Sequence, residues 1–477
     1  MERKIVKNYI YSVIYQMLIV IMPLIVTPYT TRVIGINALT INTNTTNLVQ
    51  WFVLFGIMGI NIYGNREIAR VRDDSTKLSK TFFEIFAMQV FSMLIASLAF
   101  FFYIYIIGDQ YQTILLIQSI SLLSVAFDIT WFFYGVEDFK SASIRNMIVK
   151  IIGVVLIFML VKGPNDLFIF VLINTCTGVL GQIIMWLQLK QYIHFVPISL
   201  KGIIQHIKPN IALFIPQIAI SVYSILDITM LKILGPVYVE TNLYEQTQKF
   251  VKMFLFFITS IGTVMLPRVS NVHSKGDRVA VNNYLNKTLR LALYLSIPMI
   301  FGISAMIQNF VDWFLPESYQ IVGLLIQCTS PIILFISLSN VFGTQFLVPT
   351  GNTKPYTLSV VVGAIVNFLI NWTLIPTYGV FGAIIGSVVA ELSVTLVQYF
   401  YIKNRIDFDF KVKELFIVCI ASLIMFIPTH YIGVFLGANF FVNLLQISVG
   451  ILTYFLILFL FRAPLLKELP LNLFKRK

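Results

Sequence analysis

Residues 65–80 read NREIARVRDDSTKLSK, and residues 82–107 read FFEIFAMQVFSMLIASLAFFFYIYII. The first stretch is a short, charge-rich loop. The second is an apolar run which, at about 1.5 Å per residue in a helix, is long enough to cross a hydrocarbon core of roughly 30 Å. Working outward in both directions, the same pattern repeats. Runs of about 20 predominantly apolar residues occupy 9–33, 46–64, 82–107, 111–134, 144–161, 167–189, 211–234, 242–266, 288–307, 321–348, 356–376, 379–402, 415–436 and 439–461. The run 46–64 opens on polar residues (Asn42, Asn44, Thr45, Thr46, Asn47), and Pro23, Pro28, Pro216 and Pro331 fall inside spans. Membrane helices tolerate such prolines and often kink at them.

Composition agrees. The 477 residues are 58% hydrophobic and 12% charged, with a mean hydropathy of +0.86. A soluble domain carries about 25% charged residues, so too few charges exist to coat a globule of this size. Cys176, Cys328 and Cys419 lie in apolar runs and match no disulfide or metal spacing. The basic N-terminus precedes a run too long for a signal peptide and without a small-residue cleavage site, so it reads as a retained first span.

The net charge of +13 is explained by where the charges fall. With the N-terminus inside, 28 of the 34 Lys and Arg residues lie on the inner side, in the N-terminal segment, the inner loops and the C-terminal tail. Arg32, Lys162 and Lys232 lie outside, and Lys150, Lys249 and Lys252 within spans. Positive charge is retained on the cytoplasmic side, and a one-span error would scramble this alternation. The expectation is an inner-membrane protein with both termini cytoplasmic, in contact with anionic lipid and not with nucleic acid. Outer loops are short and leave no room for an extracellular domain, and the inner loops near 65–81, 190–210 and 267–287 are too small to fold alone.

A faint repeat runs at an offset of about 200 residues. Span one ends Arg32-Val33-Ile34-Gly35 and span seven ends Lys232-Ile233-Leu234-Gly235; spans two and eight exit into Arg66 and Arg268. The two halves then share one orientation, which places a substrate site between them. The expected organisation is an all-α integral membrane protein of about fourteen helices. It divides into an N-terminal lobe over 1–200, a C-terminal lobe over 201–402, each of six spans, and two further spans with a basic tail over 403–477.

Ionisable residues inside spans are costly and usually face a bundle interior or a water-filled cavity. In span eight Glu245, Lys249 and Lys252 lie at i, i+4 and i+7 on one face, continued by Thr259, Ser260 and Thr263. Two readings fit, an internal Glu245–Lys249 ion pair or one wall of a water-lined cavity, and the length of the stripe favours the second. Asp227 lies roughly 10 Å below the outer end of span seven at about 1.5 Å per residue. Lys249 shares that depth, so a contact between the two is expected, unless Asp227 only neutralises a basic neighbour. Arg32 and Arg66 fit either headgroup anchors or, together with Lys249 and Lys252, a cavity cationic at several depths and suited to a pyrophosphate. The expected cavity set is therefore Arg32, Arg66, Asp227, Lys232, Glu245, Lys249 and Lys252. Glu391, Asn367 and Asn371 are candidates for coupling to a proton or sodium ion, against a purely structural hydrogen-bonding role, while Asp128 near a span end snorkels easily.

Nothing points to catalysis, a metal or a bound cofactor. The four histidines (His194, His206, His273, His430) are far apart in sequence and mostly in loops, and no phosphate-binding Gly-rich loop with its Lys-Ser/Thr is present. The tripeptides Asn44-Thr45-Thr46, Asn286-Lys287-Thr288 and Asn371-Trp372-Thr373 match the glycosylation pattern by chance, being in or beside spans.

Several stretches resemble bacterial polysaccharide repeat-unit flippases (Wzx-type) of the MOP exporter superfamily. They are Tyr63-Gly64-Asn65-Arg66-Glu67-Ile68-Ala69 with Arg72-Asp73-Asp74, Leu226-Asp227 with Thr229-Met230-Leu231, and Tyr244-Glu245 through Lys249-Phe250-Val251-Lys252. Val264-Met265-Leu266-Pro267-Arg268, Gln345 through Gly351, Gly363 through Phe368, and Gly382-Ala383-Ile384-Ile385-Gly386 through Glu391 complete the set. The resemblance implies two six-helix lobes plus two helices. It implies export of an undecaprenyl-pyrophosphate-linked oligosaccharide to the outer leaflet, for capsule, exopolysaccharide or teichoic acid, by ion-driven alternating access. Polymerases or glycosyltransferases of the pathway are implied partners. Two departures stand out: Thr40 and Asn42 stand near the family's usual Gly and Tyr, and Ile228 follows Asp227 where a Lys is common. The competing readings are a membrane polysaccharide polymerase or ligase, which needs a large outer loop, and a drug/cation antiporter, whose cavity should be more acidic.

Overall fold

Long apolar runs leave a backbone in lipid with only its own carbonyls to bond, so each run folds as a helix. The structure, a computed structural model, describes residues 2–107, 111–409 and 412–464, and every element there is helical apart from turns. In chain order the helices are α1 (Glu2–Val33), α2 (Ile36–Ile57), α3 (Ile60–Val71), α4 (Ser75–Ile107), α5 (Gln112–Ala126), α6 (Thr130–Gly135), α7 (Phe139–Leu160), α8 (Leu167–Leu189) and α9 (Leu200–Leu234). They continue with α10 (Glu240–Ser274), α11 (Arg278–Phe314), α12 (Ile321–Thr329), α13 (Ile332–Ser339), α14 (Thr353–Tyr378), α15 (Val380–Ile402), α16 (Val412–Leu436) and α17 (Phe440–Leu460). The basic tail 465–477 and the side chains of Ser260 and Thr263 lie outside the described residues.

Among the described residues, ten helices are long and apolar enough to cross a membrane, or eleven with one bent pair, so the molecule is a multi-pass membrane protein. The bent pair is Glu317–Thr329 with Ile332–Leu347, which meet at 44°, with Pro331 at the break as expected of a proline inside a span. The long helices α1, α9 and α10 stand where spans one, seven and eight are expected. The expected second span shifts. Its helix starts at Ile36, so the Asn/Thr-rich stretch is helical, and Thr40, Thr43, Asn44, Thr45 and Asn47 are buried. Several of the hydroxyls are satisfied by carbonyls four residues back, as Thr43 is by Leu39 at 3.0 Å, so a polar stretch is tolerated inside a span.

The chain divides into two compact units, Met1–Lys232 and Ile233–Lys477. Between apolar helices in lipid, association rests on close packing and hydrogen bonds. In the first unit an aromatic cluster of Phe82, Trp131, Phe132 and Phe133 joins α4 and α6 to Tyr63 of α3 and Met185 of α8. The Trp131 indole donates to Gln89 Oε1 at 2.9 Å. Gly64 makes room for that indole, since a methyl there would lie 2.6 Å from the ring. Between α2 and α3, Met58 sits at φ 49°, a conformation that costs a non-glycine residue of order 1–3 kcal/mol. Beside it Gly59 lets the break approach α9, where a methyl would lie 2.8 Å from the Asn210 carbonyl oxygen. In the second unit α11, α13, α16, α17 and the π-helical segment Asn340–Leu347 share one core. The neighbouring α14 and α15 meet through Gly363, Gly382 and Gly386.

Candidate functional site

In the first unit, the middle of α2 and the last turns of α9 are joined by polar contacts. The Asn47 amide donates to the Ile225 carbonyl at 2.8 Å, Thr229 donates to Asn47 Oδ1 at 2.7 Å, and the Trp51 indole donates to Thr229 Oγ1 at 2.9 Å. Asp227, on the same stretch of α9, is buried. Neither amide atom of buried Asn44 has a hydrogen-bond partner among the described residues. Arg32 is exposed and turns back to donate to the Pro28 carbonyl at 3.0 Å, and Lys232 is exposed. Arg66 is exposed, lies 3.0 Å from Glu67 and stands 5.5 Å from the Tyr63 ring centre. Glu67 also holds Arg70, at 3.0 Å.

A second polar group at the other end of α9 went unread in the sequence. His206, expected in an inner loop, is on helix α9 and 7% exposed; Glu84 of α4 is 2% exposed. His206 Nε2 lies 3.2 Å from Glu84 Oε2, and the Tyr63 hydroxyl 2.6 Å from His206 Nδ1. A Glu inside an apolar run was the available signal; its partner 122 residues away was not.

Beyond the span ends of this unit, burial and a 2.8 Å hydrogen bond to Asp138 push the Tyr192 hydroxyl up to about 12. Asp74 is held below the usual carboxylate range by the backbone N–H groups of Lys77 and Thr76, which it accepts at 3.0 and 3.1 Å as it caps α4.

In the second unit, Glu245 Oε1 accepts Lys249 Nζ at 2.7 Å across one turn of α10. The ion-pair reading therefore describes these two residues, while both remain partly open and Lys252 is exposed. Other side chains of α10 are buried: Asn242, one turn before Glu245, accepts the Tyr319 hydroxyl at 2.7 Å, and the Tyr244 and Ser387 hydroxyls meet at 2.9 Å. Asp227 and Lys249, expected to meet, belong to different units.

Asn367 and Asn371 are fully buried where α14 packs on α15, and Asn371 Nδ2 donates to Asn367 Oδ1 at 3.2 Å. A methyl on Gly386 of α15 would lie 2.1 Å from Asn371 Oδ1, so this glycine admits the amide. Glu391 is half-buried on α15. Among the described residues no three His, Cys, Asp or Glu side chains are grouped to hold a metal.

Two family models match. One, described as polysaccharide biosynthesis protein, covers residues 5–273; the other, described as lipid II flippase MurJ, covers residues 148–458. The chain belongs to the polysaccharide biosynthesis protein family. The matches agree with the resemblance to Wzx-type flippases of the MOP superfamily read in its motifs. A candidate O-antigen transporter of Shigella dysenteriae is 26% identical over 379 residues, covering 78% of this chain and 94% of that protein. A lipid II flippase MurJ structure in an inward closed conformation aligns with a TM-score of 0.78 at 16% identity, over 97% of this chain and all of that one. An inward-facing MATE-family multidrug transporter aligns with a TM-score of 0.61 at 11% identity, over 80% of this chain and 94% of that one. At such identities these two likenesses speak for the fold.

Proposed function

We propose that this family member is a flippase that carries a polyprenyl-pyrophosphate-linked oligosaccharide from the inner to the outer leaflet of the bacterial cell membrane, by alternating access driven by an ion gradient. The observation that carries the reading is the pair of overlapping matches, to polysaccharide biosynthesis proteins and to MurJ, which between them span most of the chain. The reading includes fourteen spans in lobes of six and six plus two, with both ends cytoplasmic. Supporting the repeat, the fourth span of each half is interrupted, between α5 and α6 and between α12 and α13, an offset again of about 200 residues. Supporting the cargo, Lys249 and Lys252 present ammonium groups on the open face of α10, where a pyrophosphate would accept charge-assisted hydrogen bonds. Undecaprenyl is the proposed lipid anchor, and capsule, exopolysaccharide and teichoic-acid precursors all fit it.

Lys249→Ala and Lys252→Ala should each lower export about tenfold or more, the loss expected for one charge-assisted contact of 1.5–3 kcal/mol, with normal membrane levels. The measurement is surface polysaccharide in a strain lacking its own flippase, complemented with each variant. Full complementation by both variants would remove the cationic contact from the reading.

A further inference from the structure

Tyr63, His206 and Glu84 come from three helices of the first unit and form a chain of hydrogen bonds shut off from solvent. The arrangement that satisfies both contacts has the Tyr63 hydroxyl donating to Nδ1 and the Nε2–H of a neutral imidazole donating to Glu84 Oε2. Gln205 Nε2 donates to the same oxygen at 3.3 Å. The second carboxylate oxygen, Glu84 Oε1, is buried and has no hydrogen-bond partner among the described residues. It lies against α9 at Gly202, where a methyl would come within 1.9 Å of it. An ionised carboxylate here therefore keeps one oxygen desolvated and unbonded, which is the costly state of a buried polar group.

The surroundings do not neutralise it. From α3 the nearby charges are Arg66, Glu67 and Arg70, and Glu67 holds both arginines. On α4, Lys80 one turn away is exposed; on α9, Lys201 and Lys208 are exposed while Gln205 and His206 turn to Glu84. From α6, Trp131 contributes an indole that packs on Gly64. Among these groups the imidazole is the ionisable one within hydrogen-bond distance of the carboxylate.

We infer that Glu84 and His206 together form a buried proton-binding site that takes one exchangeable proton, and that this proton is the coupling ion of transport. Without the proton the pair carries one negative charge; with it, the pair is neutral as a whole, whichever of the two holds the hydrogen. The two states differ in how strongly they tie the Gly202–Asn210 end of α9 to α3 and α4. Both the α2–α3 break at Gly59 and the Tyr63 hydroxyl bear on that same end. Occupancy thus biases the position of a whole spanning helix, which is what a coupling site has to do. The coupling role rests on the transporter reading given above; the proton site does not.

The full-length protein in lipid nanodiscs, titrated with acid and followed by infrared difference spectroscopy, tests the site. The wild type should show carboxyl or imidazole bands that E84Q removes and H206Q moves to a different pH. Bands that survive unchanged in E84Q, or that disappear in E391Q instead, would overturn the site. In proteoliposomes, the probe is a fluorescent undecaprenyl-pyrophosphate disaccharide moved under an imposed proton or sodium gradient. The wild type should respond to the proton gradient, and E84Q and H206Q should lose that response. A sodium-driven wild type, or an E84Q protein that still answers to the proton gradient, overturns the coupling role. A wild type that moves none of the probe under any gradient refutes the cargo, and the infrared titration alone then decides the proton site.

Discussion

Arg290 of α11 and Glu414 of α16 are both buried and form an ion pair. Arg290, in α11, counts in the sequence only as one more inner charge. In the folded chain its guanidinium is buried, 3.0 Å from the buried Glu414 carboxylate of α16. The Glu245–Lys249 pair, by contrast, is legible because a helix brings i and i+4 together; a pairing 124 residues apart depends on how helices pack. Breaking a buried pair leaves a lone desolvated charge and costs about 3–5 kcal/mol, whereas replacing both members with apolar side chains is close to neutral. Arg290→Met and Glu414→Leu should therefore each sharply lower the unfolding temperature in detergent, and the double variant should recover most of it. If the double variant is as unstable as the worse single one, the ion pair is not what these residues contribute.

At the scale of elements, every expected apolar run coincides with a helix or a broken helix, because length and hydropathy decide that much locally. α2 begins at Ile36, about ten residues before the expected boundary, since Asn and Thr read as a boundary until the neighbours that bury them are known. How closely two helices pack is likewise not written in either one alone. In the α14–α15 hairpin a methyl on Gly382 would lie 2.6 Å from the Leu374 carbonyl carbon, which is rigid backbone. Gly382→Ala should destabilise the protein by about 1–3 kcal/mol, the usual range for overpacking. Gly302→Ala in α11 is the comparison: its methyl would meet Met425 at an ordinary 3.6 Å, and the better helix propensity should stabilise by up to about 1 kcal/mol. Equal melting curves for the two variants would dismiss the close-packing argument.

For the whole molecule, the orientation proposed from the split of basic residues has a direct check. In a background lacking Cys176, Cys328 and Cys419, single cysteines at Asn165 and Ala438 should react with a membrane-impermeant maleimide in intact cells. One at Lys275 should react only after the membrane is opened. All three positions are exposed in the structure, so a failure to label reports sidedness and not burial. The reverse pattern would invert the topology and, with it, the direction of transport.

The sequence by itself determined the solvent, the secondary structure and the family. Those follow from composition, run length, local charge and short motifs, all carried by neighbours along the chain. It also singled out the open lysines of α10 and the half-buried Glu391. Only the tertiary structure decided that Tyr63, Glu84 and His206 form one buried group, that the Asn/Thr stretch of α2 is bonded to α9, and that Asn367 and Asn371 lie between two helices. The physical reason is the same in each case. The cost of a polar group in a membrane depends on the partner it meets, and that partner is supplied by packing between helices distant in sequence.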